Sequence, residues 1–329
     1  MHAEEFRLVR EALGVFVADH RCTSAEPTAA QRAAARKAFD GLGLVELRRG
    51  ESPLATAQEC ALLAEDFGRQ PMTASLLGTV LLAPEVLRLV EAGGGDVSHE
   101  GTPTIALGRD LRFNGGTGDY RAWDAEGADS ALYVAADGAV RPLTLGDAAP
   151  TTDLLRTVRV AEAGAVQVVG RLSREHVRAW QAWALVMVSA ELVGAADSFV
   201  GQAAAHARDR VQYGRPVGSY QSVQHLLADA TVAVEACASA TRYAAWCLDH
   251  AGPDAALTAA RVAKAEVDAS ALEAVYAGMQ VFGGIAQTWE HVAHLYLRRV
   301  RVGATVLTGT AELLSALAAP QPSDDTEST

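Results

Sequence analysis

Hydrophobic positions along this chain change their period twice. Between residues 3 and 19, Phe6, Leu8, Val9, Leu13, Val15, Phe16 and Val17 recur near helical spacing. Residues 28–40 and 54–67 read as two more helices, joined by the Gly-punctuated apolar stretch "GLGLVEL" (41–47). Residues 72–93 read as a fourth helix, broken near Pro84 and closed by the breaker cluster "AGGGD" (92–96). The texture then becomes short and β-prone: "PTIALG", "SALYVAA", "VRPLTL", "RTVRV" and "AVQVVG" alternate with turn signals. From Ser173 the helical period returns. Residues 174–211 predict a helix about 50 Å long at 1.5 Å per residue. The chain turns at Gly214-Arg215-Pro216, and further helices are predicted at 219–250, 254–282, 288–300 and 309–318.

The fold class expected is therefore α+β, mainly α. An N-terminal helical domain (1–100) precedes a small antiparallel β domain (101–171) and a C-terminal four-helix bundle (172–319). The polar tail "PQPSDDTEST" (320–329) is expected to be disordered.

Composition narrows the function. Half of the 329 residues are hydrophobic, enough for a large core. A net charge of −12 argues against nucleic acid and anionic membrane surfaces as partners, while leaving room for a local basic pocket. The four cysteines, Cys22, Cys60, Cys237 and Cys247, are scattered without a CxxC pair, which fits thiols in a reducing compartment. The acidic, amphipathic N-terminus is unlike a signal peptide, and no uncharged apolar run of about 18 residues occurs. A soluble, cytoplasmic protein without a membrane span is expected. There is no P-loop and no HExxH spacing, and His291 and His294 read as a solvated helix face.

The polar insert between the first two bundle helices carries the candidate chemistry. Arg210 and Arg215 bracket Tyr213, and Gln221 and Gln224 follow on the next helix. A guanidinium fork suits phosphate oxygens. Gly283-Gly284, one helix later, lets backbone approach a ligand closely. Together these groups suit a dinucleotide diphosphate and its adenine. The alternative is that Arg210 and Arg215 form surface ion pairs with Asp209 and Asp229.

At these residues the chain resembles the acyl-CoA dehydrogenase family. "RVQYGRPVGSYQ" (210–221) follows the family's RxQFGxPIxxFQ loop, and "LADA" (227–230) follows its LADM. "QVFGGIAQTWEHVAHLYLRR" (280–299) resembles QxxGGxGxTxE…RD, and "TGTAEL" (308–313) resembles EGTxEI. The resemblance implies FAD, gripped at a subunit interface by Arg210, Tyr213 and Gln221, with Gln280, Gly283 and Gly284 lining the other side. It implies α,β-dehydrogenation of an acyl-CoA thioester, with electron-transfer flavoprotein as the electron acceptor.

The pattern departs from the family where the base belongs. The glutamate of EGT is Thr308 here, and the alternative base position on the first bundle helix falls at Ala184. Neither removes a proton from carbon at neutral pH. Glu191, in "SAELVGAA", is the candidate catalytic residue, with a buried ion pair as its structural alternative; Glu312 and Asp197 are weaker candidates. The β domain lacks the family's Trp-bearing flavin motif, although Trp123 lies there. Ala286 replaces a usual Gly, and Arg298-Arg299 in place of Arg-Asp is expected to lose an internal ion-pair partner. These departures resemble a shortened actinobacterial branch, subunits of heteromeric steroid-CoA dehydrogenases that assemble as α2β2 tetramers. The reading ahead is one subunit of such a heterotetramer in lipid or steroid catabolism, with a second dehydrogenase-like chain as partner. The alternatives are a homo-oligomer using Glu191, and a non-redox binding or scaffold protein or cofactor-free enzyme on the same fold.

Overall fold

The structure, a computed structural model, describes residues 1–50, 52–95, 101–113, 118–164 and 168–319. The tail expected to be disordered lies outside the described residues. Helices α1 (Ala3–His20), α2 (Ala29–Asp40) and α3 (Ala57–Gly68) open the chain. Thr28 and Thr56 cap α2 and α3, each accepting the amide three residues on while Gln31 or Glu59 reaches back. Residues 44–48 of the expected connection form a 3-10 turn.

The fourth helix differs from its sequence pattern. It begins only at Leu77, as a π-helical turn (Leu77–Leu82) that runs into α4 (Ala83–Ala92). Pro84 does not break it. Proline sits in the first turn of α4, where its missing N–H costs little. The Leu81 carbonyl of this π turn accepts a hydrogen bond from Trp183 Nε1 at 2.9 Å.

Strands β1 (Pro103–Gly108), β2 (Tyr120–Trp123), β3 (Ser130–Val134), β4 (Ala139–Ala148), β5 (Val158–Ala163) and β6 (Gly170–Arg171) form one sheet. Pairing runs β1–β2–β5–β4–β3 and returns from β3 to β1, so five strands close on themselves. A ring with an odd number of strands cannot alternate direction throughout. The β1–β3 pair is accordingly parallel, and the expectation of a wholly antiparallel sheet is corrected there.

Helix α5 (Arg174–Asp209) is the spine of the molecule. By length and composition it would pass for a membrane span, but 83% of its most apolar window is buried inside this protein. It packs against α6 (Gln221–His250), α7 (Pro253–Phe282) and α8 (Ala293–Gly303), with α9 (Thr310–Ala318) against α7. Between α5 and α6 the insert folds as a two-stranded hairpin, β7 (Val211–Gln212) and β8 (Arg215–Pro216).

Helix α5 meets α3 at two glycines. A Cβ on Gly68 would lie 2.1 Å from the Glu191 carbonyl oxygen, and one on Gly194 would lie 1.9 Å from that of Glu65. Only glycine lets the two backbones cross so closely, and this crossing fixes Glu191 between the first helices and the bundle.

Candidate active site

The motif residues separate into three places. The first is a cavity of about 370 Å³ where the β-sheet unit meets the bundle. Asp110, Arg112 and Phe113 supply one wall, Gln181 and Leu185 of α5 and Leu257 and Arg261 of α7 another, and the 307–316 segment closes it. Thr308 lines this cavity. The Leu307 amide donates to the Leu111 carbonyl at 2.8 Å, and the Phe113 amide donates to the Leu307 carbonyl at 3.0 Å. Both leucines hold left-handed backbone, with φ of 61° at Leu111 and 75° at Leu307. Such strain persists only where surrounding contacts enforce it, and here it aims the residue that follows, Thr308.

The carboxylate nearest Thr308 is already engaged. Glu312 accepts hydrogen bonds from the Thr308 hydroxyl at 2.9 Å, the Gly309 amide at 3.1 Å and Arg112 Nη1 at 2.5 Å. The Gly309 amide, the Thr308 hydroxyl and Arg112 hold its carboxyl below the usual glutamate range. Glu312 is thus a weak proton acceptor that caps α9. Asp197, the other weak candidate, pairs with Arg69 at 2.5 Å on the surface.

The second place is a buried ionic knot. Arg156 reaches Asp124 at 2.8 Å, Glu191 at 2.5 Å and Asp153 at 3.5 Å, with its guanidinium 4.5 Å from the centre of the Trp123 ring. Arg299 bonds Asp153 at 2.5 Å and Glu191 at 3.1 Å, and donates to the Met72 carbonyl at 3.1 Å. Asp124 accepts the Gly78 amide at 2.8 Å. Burial pushes the Asp124 carboxyl up despite Arg156. Burial acts the same way on Asp153, but Arg299 and Arg156 outweigh it and hold that carboxyl below its usual range.

This knot corrects two expectations. Glu191 is 1% exposed and gripped by two guanidinium groups, which bury it away from any substrate and favour its ionised, paired form. Arg299 has not lost its internal partners: Asp153 and Glu191 supply them from 146 and 108 residues away. Arg156, Asp153 and Asp124 carry no motif, and their separation along the chain hides them from sequence reading.

The third place is the outer end of the bundle. His206, in the last turn of α5, packs its ring 4.7 Å from Phe282, the last residue of α7. That contact brings the Arg210 loop, the start of α6 at Gln221, and Gln280, Gly283 and Gly284 to one end of the molecule. All six of these residues are exposed, Tyr213 by 95%. Tyr213 and Gly214 form the hairpin turn, with φ of 52° and 79°. Among the described residues neither Arg210 nor Arg215 forms an ion pair, so the alternative of pairs with Asp209 and Asp229 does not hold. Arg215 instead stacks over Tyr220 at 4.0 Å. Gln224 is used locally, donating to the Gly218 carbonyl at 2.9 Å. His291 and His294 pack on Phe282 and Trp289 rather than standing free in solvent.

Comparison with known proteins agrees with this architecture. The family model "Acyl-CoA dehydrogenase, C-terminal domain" matches residues 182–320. The acyl-CoA dehydrogenase IpdE2 of Mycobacterium tuberculosis is 27% identical over 95% of this chain and 96% of its own length. That of Mycolicibacterium smegmatis is 30% identical over 79% of this chain and 78% of its own. The fold matches a chain of the ChsE4-ChsE5 complex from Mycobacterium tuberculosis with a TM-score of 0.74 at 18% identity, covering 98% of this chain and 99% of that one. With its bundle motifs in order and its relatives matched over most of their length, the chain belongs to the acyl-CoA dehydrogenase family.

Proposed function

We propose that this chain is one subunit of a heteromeric acyl-CoA dehydrogenase, supplying the loop that grips FAD at the interface while its partner supplies the catalytic base. The observation that carries this reading is the division of charge. Among the described residues, Asp110 and Glu312 beside Thr308 pair with Arg112, Asp268 pairs with Lys264, and Glu191 on α5 pairs with Arg156 and Arg299, whereas the Arg210 loop is exposed and neither of its arginines forms an ion pair.

The exposed residues fit half of a dinucleotide site. Arg210 offers a free guanidinium for pyrophosphate, Gln221 and Gln280 offer amides, and Tyr213 offers a flat face. At Gly283 and Gly284 nothing lies within 4 Å of where a Cβ would stand, so this backbone is open to a ligand. Bound flavin supplies the hydride acceptor of the dehydrogenation. In this chain Thr308 offers a hydroxyl whose one proton is given to Glu312, and it cannot remove an α-proton from an acyl group. The ChsE4-ChsE5 complex, one chain of which shares this fold, is a precedent for assembly with a second chain.

Visible flavin absorbance tests the reading. The full chain purified alone is expected to carry little flavin, and the chain co-expressed with a neighbouring dehydrogenase-like gene product is expected to be yellow. Stoichiometric flavin and turnover in the lone chain would establish a homomeric enzyme instead. No flavin in either preparation would leave the fold outside redox chemistry.

A further inference from the structure

Arg261 is the cation in the Thr308 cavity that has no counter-ion. It lines the cavity from α7, partly buried, and among the described residues it enters no hydrogen bond and no ion pair. The charge that acts on it through space is Asp254, itself committed to Arg178 at 2.8 Å. Burial depresses the Arg261 pKa, the sign of a guanidinium whose lost hydration nothing nearby replaces. The contrast with its neighbour is direct. Lys264, one turn further along α7 and wholly buried, has both the Asp268 carboxylate and the Gly303 carbonyl as partners.

Position adds to the argument. Thr310 Oγ1 lies 3.5 Å from Asp268 Oδ2, which registers the start of α9 against α7. Arg261 stands seven residues from Asp268, about 10 Å along the helix axis. It therefore lies about 10 Å along α7 from the point where the start of α9, just after Thr308, meets that helix. Leu185, Leu257 and Leu313 line the cavity, and Gln181, whose side chain is also without a hydrogen-bond partner among the described residues, adds a polar group to its wall. The two acids of the cavity, Asp110 and Glu312, are both held by Arg112 beside Thr308.

We infer that this cavity selects acyl groups carrying a carboxylate at the end remote from the thioester, with Arg261 as the counter-ion. The inference rests on the dehydrogenase reading, which places the thioester end of the acyl group beside Thr308. A guanidinium–carboxylate bond in a partly dry site is worth roughly ten- to hundredfold in affinity.

The test compares hexanoyl-CoA with adipoyl-CoA, the same chain with a terminal carboxylate, by calorimetric titration of the full chain co-expressed with its flavin-bearing partner. Adipoyl-CoA is expected to bind at least about tenfold more tightly. Arg261→Leu is expected to equalise the two affinities, and Arg261→Lys to retain part of the difference. Circular dichroism checks that each variant is folded. Equal binding of both esters to the parent complex would overturn the inference and leave the dehydrogenase reading standing. A preference for adipoyl-CoA that survives Arg261→Leu would overturn it too, because another group would then hold the carboxylate. Binding of neither ester would overturn both readings together.

Discussion

The ionic knot and the hairpin loop use the same residue types to opposite ends. In the knot, Arg156 and Arg299 are buried and share Asp153 and Glu191, while Arg156 also holds Asp124, so three carboxylates and two guanidinium groups tie Met72 and Gly78, the β-sheet unit and the bundle together. In the loop, Arg210 and Arg215 stand in solvent without a carboxylate. A buried charge must be fully partnered inside the chain, since desolvation is severe. An exposed charge held on a rigid hairpin is free to be partnered from outside. The difference teaches that the proposed function rests on charge left without a partner, not on charge itself. Arg261 is an intermediate case, inside a cavity but still unpartnered.

The most severe way to break this contrast is Arg156→Leu, which leaves Asp124, Asp153 and Glu191 short of a counter-charge. A loss of about 3–5 kcal/mol is expected, read from the urea midpoint at constant slope. If that variant unfolds as late as the parent, the knot is not holding the units together. Gly194→Ala comes next. Its new methyl group would lie 1.9 Å from the Glu65 carbonyl oxygen, forcing α3 and α5 apart at Glu191. Overpacking of this kind costs about 1–3 kcal/mol, measurable as a lowered melting temperature.

A subtler probe uses pH. Burial pushes the Asp268 carboxyl up to about 6, and Lys264 only partly offsets it. The folded state thus holds this proton more tightly than the unfolded chain, whose value is 3.8. Stability from this group is fully present below that value and is lost as pH rises towards about 6. Replacing the pair by Lys264→Met and Asp268→Leu is expected to flatten the stability profile across this window. A profile with the same slope would assign the dependence to other groups. The smallest effect on stability belongs to Arg210→Ala, within about 0.5 kcal/mol of the parent. Its consequence appears elsewhere, as loss of flavin from the co-expressed complex on gel filtration. A large stability loss with flavin retained would reverse the contrast.

Much of the fold was legible in the sequence because it depends on local rules. Periodicity located the helices of the bundle, the breaker residues located their ends, and the motif residues from Arg210 to Leu313 identified the family. Where local rules compete, the reading slipped. Residues 72–93 read as one helix broken at Pro84, yet the π turn absorbs the proline and the helix begins later. The parallel β1–β3 pair follows from closure of an odd ring, a property of the whole sheet rather than of any strand.

By itself the sequence determined the order of elements, the polar turn between the first two bundle helices and the absence of a glutamate at position 308. Those are facts of residue identity and near-neighbour spacing. Only the tertiary structure decided what surrounds Glu191, Glu312, Arg299 and Arg261. Glu191 meets Arg299 across 108 residues and Glu312 meets Arg112 across 200. The character of an ionisable side chain is set by burial and by its partners. Neither is encoded in the residues beside it, so a carboxylate that reads as a base in the sequence becomes a structural anchor once the chain is folded.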